Sequence, residues 1–257
     1  MNEPLVKMER LDAVGVAHLN RPDKLNALSP EMLNALADVL EEFDADNSIR
    51  VIVIAGSEGV FAAGADIEVM LTASSQTMLA LDTRSYWLRF QQVAKPVIAA
   101  VSGWAFGGGC ELALQCDLIV ASETAQFAQP EIKLGIIPGA GGTQRWAKAA
   151  GPYRAMEMIL TGDPIDAHTA YAWNLLNRVV PKERFLEEAI ELAKVIAERP
   201  PVAVKFAKEA LRMGLNHDLA AGLEVERRNF LLSFDTEDQA EGMQAFLEKR
   251  PPDFKGQ

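Results

Sequence analysis

Apolar positions follow two rhythms along this chain, and the change from one to the other outlines its organisation. The N-terminal residues have a strand-like pattern, and DAVGVAHL (12–19) reads as a short strand. After the loop RPDKLNAL, Ser29-Pro30 sets an N-cap residue before a proline at the first helical position. Leu33, Leu36, Ala37, Leu40 and Phe43 then fall at helical spacing, which predicts one amphipathic helix with a single buried stripe. Val51–Ala55 (VIVIA) and Val97–Val101 (VIAAV) are continuous apolar runs, the signature of strands covered on both faces. Asp117–Ala121 (DLIVA) and Leu176–Val180 (LNRVV) read as two more strands. Strands separated by helices predict an α/β fold. After Glu183 only helical spacing remains, over Phe185–Glu198, Val202–Met213, Asp218–Phe234 and Thr236–Lys249, with Pro200-Pro201 ending the first of these.

The 257 residues divide on this pattern into an α/β core over 1–198 and a helical C-terminal region over 199–257. The second part is too short to build much of a core by itself, so it reads as an extension that packs on something else. With 49% hydrophobic and 24% charged residues the composition is that of a globular protein, which excludes disorder as the main state. No apolar run approaches the ~20 residues of a membrane span. The N-terminus lacks the apolar core of a secretory signal, so a cytoplasmic or organelle-matrix location is expected. Cys110 and Cys116, six apart in a helical stretch, suit neither a disulfide framework nor a zinc cluster. His18, His168 and His217 share no ligand spacing, and no metal is expected. A net charge of −11 opposes the nonspecific phosphate attraction of nucleic-acid binders, although a local basic patch for an anionic small molecule stays open.

Three glycine-bearing segments carry the candidate chemistry. Phe61–Ile67 (FAAGADI) follows the VIVIA strand; its small residues would let a ligand reach backbone N–H groups, or simply form a tight surface turn. Gly103–Glu111 (GWAFGGGCE) follows the VIAAV strand and leads into the helical run CELALQC. The first amides of a helix lack intrahelical acceptors and carry partial positive charge, so this end suits a phosphate or a developing oxyanion. The G-x-x-x-G-G-G pattern is neither a dinucleotide fingerprint nor a P-loop. Glu111 in that first turn also has the plainer role of complementing the helix dipole. In Gln129–Thr143 (QPEIKLGIIPGAGGT), Glu131 is either a solvated loop carboxylate or a partner for Glu111 in one pocket. Two carboxyl groups in a shared, partly dry site can be driven to opposite protonation states, one acid and one base. No G-x-S-x-G elbow is present, and Cys110 reads as a small buried hydrophobe.

FAAGADI, GGGCELALQCDLIVA and QFAQPEIKLGIIPGAGGTQR, in that order and spacing, resemble the enoyl-CoA hydratase/isomerase (crotonase) superfamily, and the likeness extends from RPDKLNAL to EGMQAFLEKRPPDFKG. The resemblance implies a crotonase-like spiral of β-β-α turns, with a helical C-terminal oligomerisation region that builds homotrimers or dimer-of-trimers hexamers. It implies an oxyanion hole made by the backbone N–H groups of Ala63 and Gly108, with Glu111 activating water and Glu131 delivering a proton to Cα. Gly139 matches a backbone position near the catalytic water. Ala63, Gly64, Ala65, Asp66 and Ile67, with Lys24, Leu25 and Gly108, match the segments along the CoA thioester. Phe246 and Lys249 match C-terminal positions that reach CoA, often across a subunit boundary. CoA belongs to the substrate and no separate cofactor is implied. Trp104 stands where tyrosine or phenylalanine is more usual, which bears on the acyl pocket.

The expected reaction is reversible hydration of a trans-2-enoyl-CoA to a 3-hydroxyacyl-CoA, within fatty-acid β-oxidation or a related degradation. The nearest rival is double-bond isomerisation or another enolate chemistry on the same scaffold; isomerases commonly keep only one of the two glutamates. A rival of another class is a non-catalytic relative that binds RNA or a protein.

Overall fold

A computed structural model describes residues 3–56 and 59–257. Two sheets run through the first two thirds of the chain, and after an opening hairpin in the larger one each turn of the backbone adds one strand to each. The larger sheet has six strands in the order β1 (Val6–Leu11), β2 (Val14–Leu19), β3 (Val51–Ala55), β5 (Val97–Val101), β7 (Leu118–Ser122), β10 (Arg178–Val180). The smaller has four, β4 (Val60–Ala62), β6 (Trp104–Phe106), β8 (Gln126–Ala128) and β9 (Ile165–Asp166). Pairing is antiparallel between β1 and β2 and between β8 and β9, and parallel elsewhere.

Helices fill the intervals. α1 (Pro30–Ala45) follows β2, while α2 (Ile67–Met70), α3 (Ser75–Ala80) and α4 (Thr83–Gln92) follow β4. α5 (Gly108–Gln115) follows β6, and α6 (Gly142–Ala150), α7 (Pro152–Thr161) and α8 (Ala167–Ala172) lie around β9. The helical remainder is α9 (Phe185–Ala197), α10 (Pro201–Asn216), α11 (Leu219–Ser233) and α12 (Glu237–Glu248). No helix among the described residues is long and apolar enough to cross a membrane.

The chemistry of the strands accounts for this layering. In β3 and β5 every residue is buried, and successive side chains go to opposite faces. Ile52, Ile54, Val97, Ala99 and Val101 join the large core with α1, α4 and α5. Val51, Val53, Ala55, Ile98 and Ala100 instead pack under α9, against Phe185, Ala189, Ala193 and Ala197. The α1 expectation holds in detail: Ser29 accepts a hydrogen bond from Met32 N at 3.3 Å, and Leu33, Leu36, Ala37, Leu40 and Phe43 are all buried. The strand expected at 12–19 begins at Val14, because Asp12, with φ of 53°, makes the turn out of β1. The small sheet and α6–α8 have no counterpart in the sequence reading, since three-residue strands are too short to show a period.

The last three helices lean on the body through polar anchors. The Lys208 ammonium on α10 meets Asp117 at 2.7 Å, and Arg212 one turn on reaches the same carboxylate at 2.9 Å. Leu211, Leu215, Leu219, Leu223, Phe230 and Phe234 of α10, α11 and the residue after it stay exposed.

α5 also approaches β4 very closely. A Cβ on Gly109 would lie 2.0 Å from the Ala62 carbonyl oxygen, a backbone atom that cannot swing aside. Gly109→Ala should therefore destabilise the fold by about 1–3 kcal/mol or more. Thermal melting checks this, and an unchanged Tm would show that α5 has room to move.

Candidate active site

The FAAGADI turn is laced to the loop before α1. Ala63 N donates to Leu25 O at 3.0 Å, and Leu28 N donates to Gly64 O at 2.8 Å. Leu25 and Asn26 hold φ of 52° and 54°, and the buried Asn26 side chain fixes that bend. Its Oδ1 accepts from Arg21 N at 2.9 Å, and its Nδ2 donates to Phe61 O at 3.1 Å. Arg21 also pairs with Asp66 at 3.0 Å, so Asp66 serves as a strut between the two segments. Lys24 pairs with Glu68 at 3.1 Å on the exposed rim, where Leu25 and Ile67 also lie.

This lacing decides which amides are left over. The Ala63 N–H, expected as an oxyanion donor, is already committed to Leu25. The Ala65 N–H has no acceptor among the described residues, and neither does that of Gly108 at the first position of α5. The two are neighbours: a Cβ on Gly108 would lie 3.6 Å from Ala65 N, and one on Gly64 would lie 3.9 Å from Gly108 N. The free pair is therefore Ala65 and Gly108. The run A-A-G-A offers several similar amides, and only pairing with the distant Leu25–Leu28 segment selects one.

Both glutamates converge on this point. Glu111, one turn into α5, is 2% exposed. Its Oε1 accepts from Ala140 N and Gly142 N, both at 2.7 Å, while Oε2 accepts nothing from the described residues. Burial raises its pKa, with the two amides and the Arg145 charge pulling the other way. Glu131 lies on a short 3-10 turn, Pro130–Leu134, after β8. Its pKa is pushed up to about 7, chiefly by burial and further by the Glu111 charge, against the pull of its own backbone amide. A Cβ on Gly107 would lie only 2.9 Å from the Glu131 Oε1. Gly107, with φ of 51°, is thus the residue that lets the carboxylate lie beside the start of α5.

Gln129, fully buried, went unnoticed in the sequence. With its amide nitrogen turned toward Glu131 it donates to both carboxylate oxygens at 3.1 Å. Gly139 lies exposed in the loop just before Ala140. Trp104 is 43% exposed and stacks on Phe106 two residues along the same face of β6, with ring centroids 5.7 Å apart. Cys110 is buried and its thiol pKa is raised by that burial, which suits a core residue and not a nucleophile. Phe246 is 82% exposed, and Lys249 caps α12; no hydrogen bond or ion pair among the described residues joins them to the other site positions.

Comparison with known proteins gives this geometry a setting. Residues 9–257 match the family model described as enoyl-CoA hydratase/isomerase. The chain is 48% identical to a probable enoyl-CoA hydratase of Rhizobium meliloti, over 99% of both chains. It is 47% identical to 2,3-dehydroadipyl-CoA hydratase of Escherichia coli, over the full length of both. A crystal structure of an enoyl-CoA hydratase subunit from Geobacillus kaustophilus superposes with a TM-score of 0.96 at 47% identity, covering 98% of each chain. The chain belongs to the enoyl-CoA hydratase/isomerase family, the crotonase superfamily, and within it stands with the enoyl-CoA hydratases. The alternating two-sheet turns are that superfamily's fold.

The raised pKa of Glu131 has a consequence for stability. A carboxyl group that holds its proton more tightly when folded supports the fold fully below the unfolded value near 4.5. That support is lost as pH rises through about 7. Glu131→Gln, neutral at every pH, should raise Tm relative to wild type at pH 8 and much less at pH 5. A lower Tm than wild type at pH 8 would mean that Gln129 and its neighbours favour the ionised carboxylate.

Proposed function

We propose that this protein catalyses the reversible addition of water to a trans-2-enoyl-CoA, giving a 3-hydroxyacyl-CoA. One observation carries the reading: two unpaired backbone N–H groups and two carboxylates, Glu111 buried and Glu131 half-buried, meet at the start of α5. The thioester carbonyl oxygen accepts from Ala65 N and Gly108 N, which takes the place of the Ala63 and Gly108 pair expected from the resemblance. As hydroxide adds to C3, negative charge collects on that oxygen. The helix start and the two donors meet the charge without reorganising. In comparable oxyanion holes, losing one such donor raises the barrier by about 2.7–4 kcal/mol.

The carboxylates divide the proton work. Glu111 receives two amide bonds on Oε1, which favours the ionised form and leaves Oε2 for the attacking water. It takes the proton from that water as the C3–O bond forms. Glu131, with a pKa near 7, is protonated in roughly half of the molecules at neutral pH, and that form delivers its proton to C2, so that one water is added across the double bond. Gly139 belongs to the loop that presents the Ala140 amide, and its backbone borders the water. Lys24 and Leu25 on the rim, with Gly64, Asp66 and Ile67, flank the CoA thioester, and CoA enters as part of the substrate.

Isomerisation needs one proton-shuttling group, whereas hydration needs a base for water and an acid for carbon, and two carboxyl groups converge here. The overall charge of −11 weighs against RNA as a ligand. The exposed apolar residues of α10 and α11 are suited to a second and third copy of the chain. A homotrimer, or a hexamer of two trimers, would bring Phe246 and Lys249 of one protomer to the CoA of the next.

Glu111→Gln and Glu131→Gln should each lower kcat for crotonyl-CoA hydration by about 10²–10⁴ while thioester binding persists. Near-normal turnover in either variant removes that residue from the mechanism. A 3-enoyl-CoA converted faster than the 2-enoyl-CoA would favour the isomerase instead. RNA binding without any turnover would favour the non-catalytic relative. Sedimentation should show a species three or six times the monomer mass; a clean monomer contradicts the assembly.

A further inference from the structure

Behind Glu111, on the side away from the amide pair, stands a half-buried cation that the mechanism above does not use. Arg145 lies on α6, the helix whose first residue, Gly142, donates to Glu111. Its Nη1 donates to Leu114 O at 3.4 Å, and its Nη2 donates to the side-chain oxygen of Gln115. Leu114 and Gln115 are the last two residues of α5. On that helix they lie three and four positions after Glu111, and Arg145 lies three after Gly142, so each set shares a face. The result is two rungs between α5 and α6: the Glu111 carboxylate on the Gly142 and Ala140 amides, and the Arg145 guanidinium on the end of α5. The Gln115 Nε2 is buried with no partner among the described residues, which leaves Arg145 as the one polar group that holds this side chain.

We propose that Arg145 is a positioning residue for the hydration reaction, its guanidinium fork clamping α6 to the end of α5. The clamp keeps the Ala140 and Gly142 amides within hydrogen-bond distance of the Glu111 carboxylate. The inference rests on the hydratase reading and extends it by naming the support of its base. The charge acts in the same direction as the clamp. Arg145 favours the ionised form of Glu111 against its burial, and an arginine keeps that charge across the working pH range. The charged groups around the pair are Glu131 on the 3-10 turn, Arg212 on α10 and Asp117 after α5, with the neutral Cys110 and Cys116 thiols beside them. Of these, Arg145 is the cation whose field reaches Glu111.

Arg145→Met removes both fork and charge, Arg145→Lys keeps the charge, and Gln115→Leu removes one rung partner while leaving the arginine. For folded Arg145→Met, kcat for crotonyl-CoA should fall by about tenfold or more, with KM changed less than about threefold. The acid limb of kcat/KM should move to higher pH, because Glu111 then gains its proton more easily. Arg145→Lys should restore the acid limb but only part of kcat, and Gln115→Leu should lower kcat with the limb unmoved. If Arg145→Met does not fold, the other two variants carry the test by these same criteria. The proposal is overturned if folded Arg145→Met keeps wild-type kcat, or loses kcat with the acid limb in place. It is also overturned if both Arg145→Lys and Gln115→Leu behave as wild type. Glu111→Gln, assayed alongside, separates the two layers: full activity there defeats the hydratase reading itself, whatever Arg145 does.

Discussion

Two backbone N–H groups without acceptors, side by side, are the constraint that organises this structure. An unpaired donor is costly in a protein interior, and these two lie where water or a ligand can reach them, Ala65 exposed and Gly108 half-buried. Here the two arise for different reasons. Gly108 is unpaired because every helix begins with donors that lack intrahelical acceptors. Ala65 is unpaired because its neighbours in the turn are consumed: Ala63 N by Leu25 and Gly64 O by Leu28. Holding a turn in that arrangement takes a rigid partner, and the αL bend at Leu25 and Asn26, locked by the buried Asn26 amide, is that partner. The glycines around α5 serve the same end, since Gly107 admits the Glu131 carboxylate and Gly109 admits the Ala62 carbonyl.

The carboxylates follow from the same geometry. Bringing two acids to an apolar helix start desolvates both, which raises both pKa values. The polar groups then separate them. Glu111 is steadied by two backbone amides and a nearby arginine. Glu131 meets its own backbone amide and the charge of its partner. A pair of like groups thereby acquires unlike roles, and the cost in stability is borne by the close-packed sheets and by α9.

Much of this was legible in the sequence, and what was not has physical reasons. VIVIA and VIAAV declared themselves because a strand buried on both faces needs no polar position, and α1 because Ser29-Pro30 and a five-residue stripe agree. Glu111 could be singled out because glycines before an apolar helical run mark a helix start, Glu131 because it follows one strand later in a turn-rich segment, and Gly108 through the family resemblance. The identity of the second amide could not be read. It depends on hydrogen bonds between segments 38 residues apart, Leu25 and Ala63, and nothing local distinguishes Ala63 from Ala65. Gln129 was hidden because a glutamine before Pro130 looks like part of a loop until burial turns it toward Glu131. The strands of the small sheet, three residues or fewer, left no rhythm to detect.

The central claim is about where one oxygen atom binds, and a crystal structure with a 3-hydroxyacyl-CoA bound tests it most directly. The account predicts the thioester oxygen within about 2.7–3.1 Å of both Ala65 N and Gly108 N, with the 3-hydroxyl between the Glu111 and Glu131 carboxylates. A thioester oxygen directed at Ala63, or lying away from the start of α5, would contradict it.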